Sequence, residues 1–456
     1  MTRISRSATA PAKPSETATV LRAIGVSPVR SLGQNFLHDR NLSQWIVDQI
    51  EPAAGDYVVE IGPGIGALTV PLLRSGASVL ALEKDGRLAA FLKKQYPVEA
   101  LEVWHGDALD FDVRTLFTRA SVKVIGNLPY YIASQLLLKF LDYPSPILLG
   151  LFMLQKEMAN RLAATPGSKD YGALSVLLQR HYRIKLVKRV PATVFIPRPE
   201  VDSAVIRATP RPTAELGFFD DDVFVSLVRQ GFSQRRKQLG KLLADQIPDW
   251  PAAAGHIGVD VQARAETLSL DRWVALTNYV APIGLTDPLG PAEELFPIVD
   301  ESDRVIGSAP RGKVHGDNLR HRAVHILVFD AAGEIYLQKR SPLKDRHPRV
   351  WDSSAAGHVN AGEDYDEAAT RELHEELGIR GRLERIAKLP ASDATGQEFI
   401  WLYRTRHDGQ MLPNKQEIET VKRFQPAMIA GWIANRPGDF APGFVECWKT
   451  YVERCR

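Results

Sequence analysis

Cysteine is nearly missing from this 456-residue chain: it has two, Cys447 and Cys455. Two thiols at that spacing cannot build a disulfide framework or a four-cysteine zinc site, and they fit a reducing, cytoplasmic compartment. Long apolar runs are missing as well. No stretch approaches the roughly 18–20 residues that a membrane-spanning helix needs, so no membrane partner is expected. Charge of one sign is not in large excess either: 57 Lys+Arg against 54 Asp+Glu leaves +3. That excludes a uniformly basic nucleic-acid coat and an acidic disordered chain, and it leaves room for a local basic face. No segment repeats at a fixed period. Residues 2–20 lack the apolar core of a secretory signal and carry Arg3, Arg6, several Ser/Thr and the single acid Glu16. Residues 1–29 therefore read as a disordered polar tail, with an organellar transit peptide as the alternative.

What is present is ordinary globular material, 45% hydrophobic and 24% charged, and the length suits about three folding units of roughly 150 residues. From Ser31 to about Ala208 short apolar strands alternate with helical stretches. The strands are Tyr57 to Ile61 (YVVEI), Ser78 to Leu82, Leu101 to Trp104 and Lys123 to Ile125. That alternation predicts an α/β, Rossmann-like domain with a mostly parallel sheet. From about Phe218 to Val280 the spacing turns helical. Pro282, Gly284, Pro288, Gly290 and Pro291 then mark a boundary, and a second strand-rich unit begins at Pro297. The expected division is 1–29 tail, 30–208 α/β domain, 209–281 small helical domain, 282–296 linker and 297–456 second α/β unit.

Gly62-Pro63-Gly64-Ile65-Gly66 follows the first strand and precedes a helix predicted over Ala67 to Leu73. Glycines there let the backbone approach a ligand at a helix N-terminus. Glu83 ends the second strand, where a carboxylate grips ribose hydroxyls. Asp107 follows the third, in position to accept from an adenine amino group, and Asn127 ends the fourth. Polar residues at the ends of four consecutive parallel strands converge on the carboxyl edge of the sheet, where such folds bind ligands. Asn127-Leu128-Pro129-Tyr130 points to a methyl-donor site rather than a nicotinamide site. Adenine's exocyclic amine is a poor nucleophile because its lone pair is delocalised. The Asn127 side-chain oxygen and the Leu128 carbonyl would hold its two hydrogens and favour the pyramidal form, with Tyr130 stacked on the flipped base.

These segments resemble the ribosomal RNA small-subunit adenine dimethyltransferases, the KsgA/RsmA family and its eukaryotic counterparts. The matching pieces are "LGQNFLHD" (32–39), "VVEIGPGIGALT" (58–69), "ALEKD" (81–85), "GDAL" (106–109), "GNLPYYIAS" (126–134), "QKEMANRLAATPGSKDYGALSV" (155–176) and "FIPRPEVDSAVIR" (195–207). The resemblance implies S-adenosylmethionine as cofactor, with Asn35 and Leu37 at its methionine end and Phe195 as the far wall of the adenine pocket. It implies small-subunit rRNA, or an immature small ribosomal subunit, as partner, and "QGFSQRRKQLGKLL" (230–243) as part of a small RNA-binding domain. The charge agrees with that partner. Between Gln179 and Arg211 eight Lys/Arg face Glu200 and Asp202, a local 8 − 2 = +6, and Arg229 to Leu243 holds five basic residues and no acid.

Gly357 to Ile379, GHVNAGEDYDEAATRELHEELGI, is a complete Nudix box, G-x5-E-x7-R-E-U-x-E-E-x-G-U. On a helix Glu372 and Glu376 share a face and Glu375 stands beside Glu372. Carboxylates so placed suit Mg²⁺ or Mn²⁺ acting on a diphosphate. Arg371 would orient a glutamate, and Gly378 would cap the helix in the left-handed conformation. The resemblance to Nudix enzymes implies an α/β/α domain that hydrolyses a small diphosphate-containing molecule. Glu417 or Glu419 is the candidate catalytic base. The stretches around 297–315 and 338–358 also resemble isopentenyl-diphosphate isomerase, which uses a cysteine after the position of Trp351. Here Asp352, Ser353, Ser354, Ala355 and Ala356 follow it, so hydrolysis is favoured. The expectation is a two-enzyme fusion. Alternatives are a resistance-type 23S rRNA methyltransferase, a largely non-catalytic ribosome-assembly factor and, for the second unit, an isomerase-like enzyme or a binding module.

Overall fold

A computed structural model describes residues 10–11, 13–28, 34–212, 215–282 and 294–455. The chain divides into two compact units, Met1–Ala281 and Pro282–Arg456. Most of the expected linker, 283–293, lies outside the described residues, as do residues 1–9 of the expected tail.

The first unit is built on seven strands: β1 Tyr57–Ile61, β2 Ser78–Glu83, β3 Leu101–His105, β4 Val122–Asn127, β5 Ile147–Gln155, β6 Tyr182–Val190 and β7 Ser203–Pro210. Their order across the sheet is β3-β2-β1-β4-β5-β7-β6. The first five are parallel, and β7 runs antiparallel to both neighbours. The chain winds outward from β1 to β3 and then returns to β4 on the other side of β1. This creates a topological switch between β1 and β4. The strands read as continuous apolar runs because both faces are covered. Val58, Val79, Ala81 and Ile125 enter one core, while Val59, Leu80, Leu82 and Val124 enter the other, in the period of two that a strand imposes.

Helices Asp221–Gly231, Trp250–His256 and Leu270–Val280 pack around the fully buried Trp273 with Phe224, Leu227 and Trp250. Asp220 and Ser269 cap two of them through side-chain bonds to backbone N–H groups. One expectation is corrected. Within the segment read as a disordered tail, Pro14–Ala23 is a helix with Pro at its start, Glu16 in its first turn and Arg22 in its last. Its Leu21, with Val26, packs on Phe36, Ile65 and Leu88. That tertiary burial is what a search for local periodicity misses. The helix predicted over 67–73 runs Thr69–Ser75, because residues 65–68 first form a turn.

In the second unit His321–Phe329 is the central strand. It lies parallel to Glu398–Arg406 and antiparallel to Ala355–His358 and Ile335–Arg340. Helix Tyr365–Leu377 covers Val324, Ile326 and Val328 on one face. On the other, His325 meets Gly443 in the first turn of helix Pro442–Arg454. Two faces, each with its own helix, make the expected three layers. Asp364 and Glu367 form a reciprocal capping box at the start of the first helix, and Gly378, at φ 68°, ends it.

Gly126 lies at the switch, where a β-carbon would stand 2.7 Å from the Ile61 carbonyl oxygen and 3.1 Å from Leu128. Gly126→Ala must separate β1 from β4. It is expected to cost about 1–3 kcal/mol in denaturant unfolding and to weaken cofactor binding. An unchanged unfolding midpoint would show that the strands can absorb the methyl group.

Candidate functional site

A cavity of about 430 Å³ opens at the carboxyl ends of β1–β4. Of the residues expected to bind cofactor, Asn35, Leu37, Gly62, Glu83, Asp107 and Asn127 all line it. Gly62, Gly64 and Gly66 have positive φ (68°, 58° and 93°), and a β-carbon on Gly64 would crowd the Phe36 ring at 3.1 Å. Glu83 is buried; one oxygen accepts from the Gly64 N–H (3.2 Å) and the other from the Asp85 N–H (2.8 Å). Burial raises its pKa to about 7. Asp107 accepts from Lys84 (2.7 Å) and from the Leu109 N–H (3.0 Å), and the Lys84 bond holds its carboxyl below the usual range.

Glu60, which sequence reasoning passed over, also lines the cavity. It is fully buried on β1, accepts from the Thr69 hydroxyl (2.6 Å), and burial with help from Glu83 pushes it up to about 8. Its signal was present in the sequence: it is an acid flanked by apolar residues inside the strand YVVEI.

At the far end, the Asn127 side-chain NH₂ donates to the Asn35 carbonyl (2.8 Å). This sets the flip of the amide and directs its oxygen away from Asn35 as an acceptor. Leu128 is buried, with its N–H bonded to Met153 (3.0 Å). Phe195 is buried and pairs directly with Leu37 in a two-residue ribbon, Phe36–Leu37 with Phe195–Ile196. Neither Tyr130 nor Phe195 reaches the cavity wall. The Tyr130 hydroxyl shares a 2.8 Å hydrogen bond with Ser203, whereas its neighbour Tyr131 lines the cavity and is exposed. The positions expected to bind cofactor therefore converge, while the expected aromatic positions Tyr130 and Phe195 lie off the cavity wall.

The expected +6 face needs correction. Arg180 is buried against Asp221 (2.7 Å), and Arg183 and Arg211 both pair with Glu215. The count over 179–211 stopped short of these two acids. A separate groove brings Lys156, Arg161, Lys169 and Arg235 together with Glu157, Asp170 and Asp202. It joins three of the segments that carry the family resemblance.

In the second unit Arg371 holds the box together. Its guanidinium contacts both oxygens of Glu363 (2.9 Å each), Glu372 (2.7 Å), Glu375 (3.0 Å) and the His358 carbonyl (3.0 Å). Glu376 is buried and accepts from the Ala356 N–H (2.9 Å) and from Gln338 (3.2 Å). A β-carbon on Gly357 would overlap the Glu372 carboxylate, which explains the glycine that opens the box. Burial and the charge of Glu372 raise Glu376 to about 8, and burial also raises Glu372. Glu375 stays at the exposed rim. Lys344, unforeseen in the sequence, pairs with Glu417 and lies in the field of Glu376 and Glu372. Glu419 instead lies 3.8 Å from Arg349. Cys447, remote in sequence, is buried within the field of Asp352 and Glu398, and burial pushes its thiol well up.

The fold and the four strand-end positions define a Rossmann-like methyltransferase of the S-adenosylmethionine-dependent kind. A profile for ribosomal RNA adenine dimethylase matches residues 28–282, and a NUDIX domain profile matches 319–444. The chain belongs to the ribosomal RNA adenine dimethylase family and carries a Nudix domain after it. It is 38% identical over 284 residues to the ribosomal RNA small subunit methyltransferase A of Bacillus cytotoxicus, covering 59% of this chain and 97% of that protein. The protein of the same name from Geobacillus kaustophilus is 39% identical over 285 residues, covering 60% and 97%. Among solved structures, a dimethyladenosine transferase from Plasmodium falciparum is 25% identical with a TM-score of 0.47, covering 53% of this chain and 95% of that one. DR0079 from Deinococcus radiodurans is 26% identical with a TM-score of 0.31, covering 36% and 100%.

Because Glu83 titrates at about 7, it loses its charge, and one of its acceptor sites, as pH falls through neutrality. Affinity for S-adenosylmethionine, measured calorimetrically, is expected to fall between pH 8 and pH 6. Glu83→Gln should bind roughly 10–100-fold more weakly at pH 8, the worth of a hydrogen bond to a charged group, with a flat profile. A step near pH 7 that survives in Glu83→Gln would assign the titration elsewhere, Glu60 being the nearest candidate.

Proposed function

We propose that the first unit dimethylates the N6 amines of two adjacent adenosines in the 3′-terminal hairpin of 16S rRNA, within an immature small ribosomal subunit. The observation that carries this reading is the Asn127 amide, set by Asn35 at the end of the cofactor cavity. The small-subunit methyltransferases that match nearly end to end support the choice of rRNA. Bound S-adenosylmethionine supplies a methyl group on a cationic sulfur. The chain's own part is to position the amine. The Asn127 oxygen and the Leu128 carbonyl accept its two N–H groups, which draws the nitrogen lone pair toward the donor without a strong base. Glu83 and Asp107 hold the ribose and adenine of the cofactor, and Asn35 and Leu37 flank its methionine end. Tyr130 and Phe195 are assigned to the adenine pocket that forms when a base is flipped in. The groove of Lys156, Arg161, Lys169 and Arg235 is assigned to RNA phosphates. Two free cysteines fit the reducing, cytoplasmic setting proposed for the chain.

The second unit is read as a hydrolase of a small diphosphate-containing molecule, with Glu372, Glu375 and Glu376 holding Mg²⁺ or Mn²⁺. Two carboxylates raised by burial, and in Glu376 also by the charge of Glu372, fit a hard dication, whose charge would compensate for the lost solvation. A bound ion supplies Lewis acidity to phosphate oxygens and an activated water. Arg371 fixes Glu363 and Glu372, and Glu417, paired with Lys344, is the favoured candidate for the base over Glu419.

Asn127→Ala is expected to lower methyl transfer to unmethylated small subunits by on the order of 10²-fold or more, while particle binding persists. Label from tritiated S-adenosylmethionine should map to two neighbouring adenosines. Label in large-subunit rRNA instead would move the unit to the resistance-type branch, and undiminished transfer by the variant would remove Asn127 from the chemistry.

With Glu376 at about 8, the site holds a proton at pH 7 that a metal must displace. Mg²⁺ binding should therefore release protons at pH 7, visible as a dependence of the calorimetric heat on buffer ionisation enthalpy, and it should tighten up to about pH 8. Glu376→Gln should abolish diphosphatase activity across a panel of nucleoside diphosphate-linked compounds. No proton release, or full activity in Glu376→Gln, would sink the assignment.

A further inference from the structure

The helix Pro14–Ala23 contributes no residue to the lining of the cofactor cavity, yet both of its ends are tied down. A helix of this length is marginal in isolation and persists through tertiary packing. Ahead of it, the Ala10 carbonyl accepts two bonds from the Arg40 guanidinium (3.1 and 2.8 Å). At its other end it stops in Ile24-Gly25-Val26. Gly25, at φ 69°, sends its N–H to the Arg22 carbonyl (3.1 Å), and the Val26 N–H returns to the Leu21 carbonyl (2.8 Å). This paired closure is the Schellman ending, which sets the residue after the glycine against the last turn of the helix. Leu21 and Val26 are thereby brought together, and both are buried.

What they are buried against is the wall of the cofactor cavity. Leu21 and Val26 pack with Phe36, Ile65 and Leu88, and all three of those residues line the cavity. Phe36 also meets the backbone of Gly64, where a β-carbon would come within 3.1 Å of its ring. A polar relay runs beside this apolar contact. The Gly25 carbonyl accepts from Arg87 (2.5 Å), and the same guanidinium contacts both oxygens of Asp85 (3.2 and 2.9 Å). The Asp85 N–H in turn donates to the buried carboxylate of Glu83 (2.8 Å). One segment thus supports both an apolar wall of the cavity and the acid expected to hold the ribose. The family profile begins at residue 28, so the match itself assigns this segment no role.

We propose that Pro14–Val26 is a cofactor clamp: docked, it positions Phe36 and Glu83 against S-adenosylmethionine and slows release of the cofactor. The segment acts through the residues it packs on and touches no reacting atom. The proposal rests on reading the cavity as the S-adenosylmethionine site, and it is independent of which RNA is methylated. Linkage makes it reciprocal: the factor by which docking tightens the cofactor is the factor by which the cofactor stabilises docking.

Two measurements on the full chain test this. Leu21→Ser/Val26→Ser is expected to weaken S-adenosylmethionine binding, read calorimetrically, by roughly 10-fold, and to raise KM for the cofactor while kcat at saturating cofactor changes by less than about twofold. In the unaltered chain, S-adenosylmethionine is expected to slow amide hydrogen exchange over residues 14–26 by the same factor and to slow trypsin cleavage after Arg22. A helix with only a structural role would exchange alike with and without cofactor. The exchange measurement needs no variant, so it decides the matter even where the double substitution fails to fold. An unaltered chain that binds no S-adenosylmethionine would remove the cavity reading and the clamp together. Binding by the unaltered chain, with equal affinity in the folded variant or with no protection of residues 14–26, would overturn the clamp alone.

Discussion

A carboxylate taken out of water must find hydrogen-bond donors or a cation, and both units of this chain are arranged around that requirement. Glu60 and Glu83 sit in the floor of the methyl-donor cavity. Glu372 and Glu376 sit under the Nudix box, and Glu398 among histidines. Each lies on a strand or helix rather than a mobile loop, so its neighbours are set by register. The responses differ. Glu83 receives two backbone N–H groups, and burial still leaves it at about 7. Burial would raise Glu398 as well, yet the imidazoles of His321 and His358 hold it below the usual carboxylate range. The direction of each shift thus separates a carboxylate dominated by burial from one dominated by its neighbours.

The glycines serve the same end. Gly126 allows β4 to lie against β1, where a β-carbon would meet the Ile61 carbonyl, and Gly357 leaves room for the Glu372 carboxylate. In each unit a missing side chain permits a close approach, of strand to strand in the first and of a carboxylate to the backbone in the second.

Much of this was legible in the sequence because strand ends in a parallel sheet share one edge. Once YVVEI, SVLAL and the segments after them read as strands, Gly62, Glu83, Asp107 and Asn127 had to converge, and they do. The Nudix helix was legible from i, i+4 geometry and its glycine cap. What escaped had its cause in tertiary space. The helix Pro14–Ala23 is held by Phe36, Ile65 and Leu88, which no local period announces. Glu215 and Asp221, just past the counted window, neutralise arginines that looked free. Lys344 reaches the box from a loop, and the histidines around Glu398 are assembled by strand register across long separations.

The two units solve a shared problem with different chemistry, and the difference follows from what each must hold. A methyl donor is itself cationic and carries hydroxyls, so carboxylates with backbone donors and a flexible protonation state suit it, and no metal is required by the donor set. A diphosphate is anionic, so carboxylates can approach it only through a cation. That explains why the second unit concentrates acids on one helix beside Arg371 and Lys344, whereas the first spreads its acids over three strand ends. The placement of negative charge in each unit is thus complementary to the charge of its proposed ligand, clustered where a metal must mediate and dispersed where the ligand brings its own positive charge.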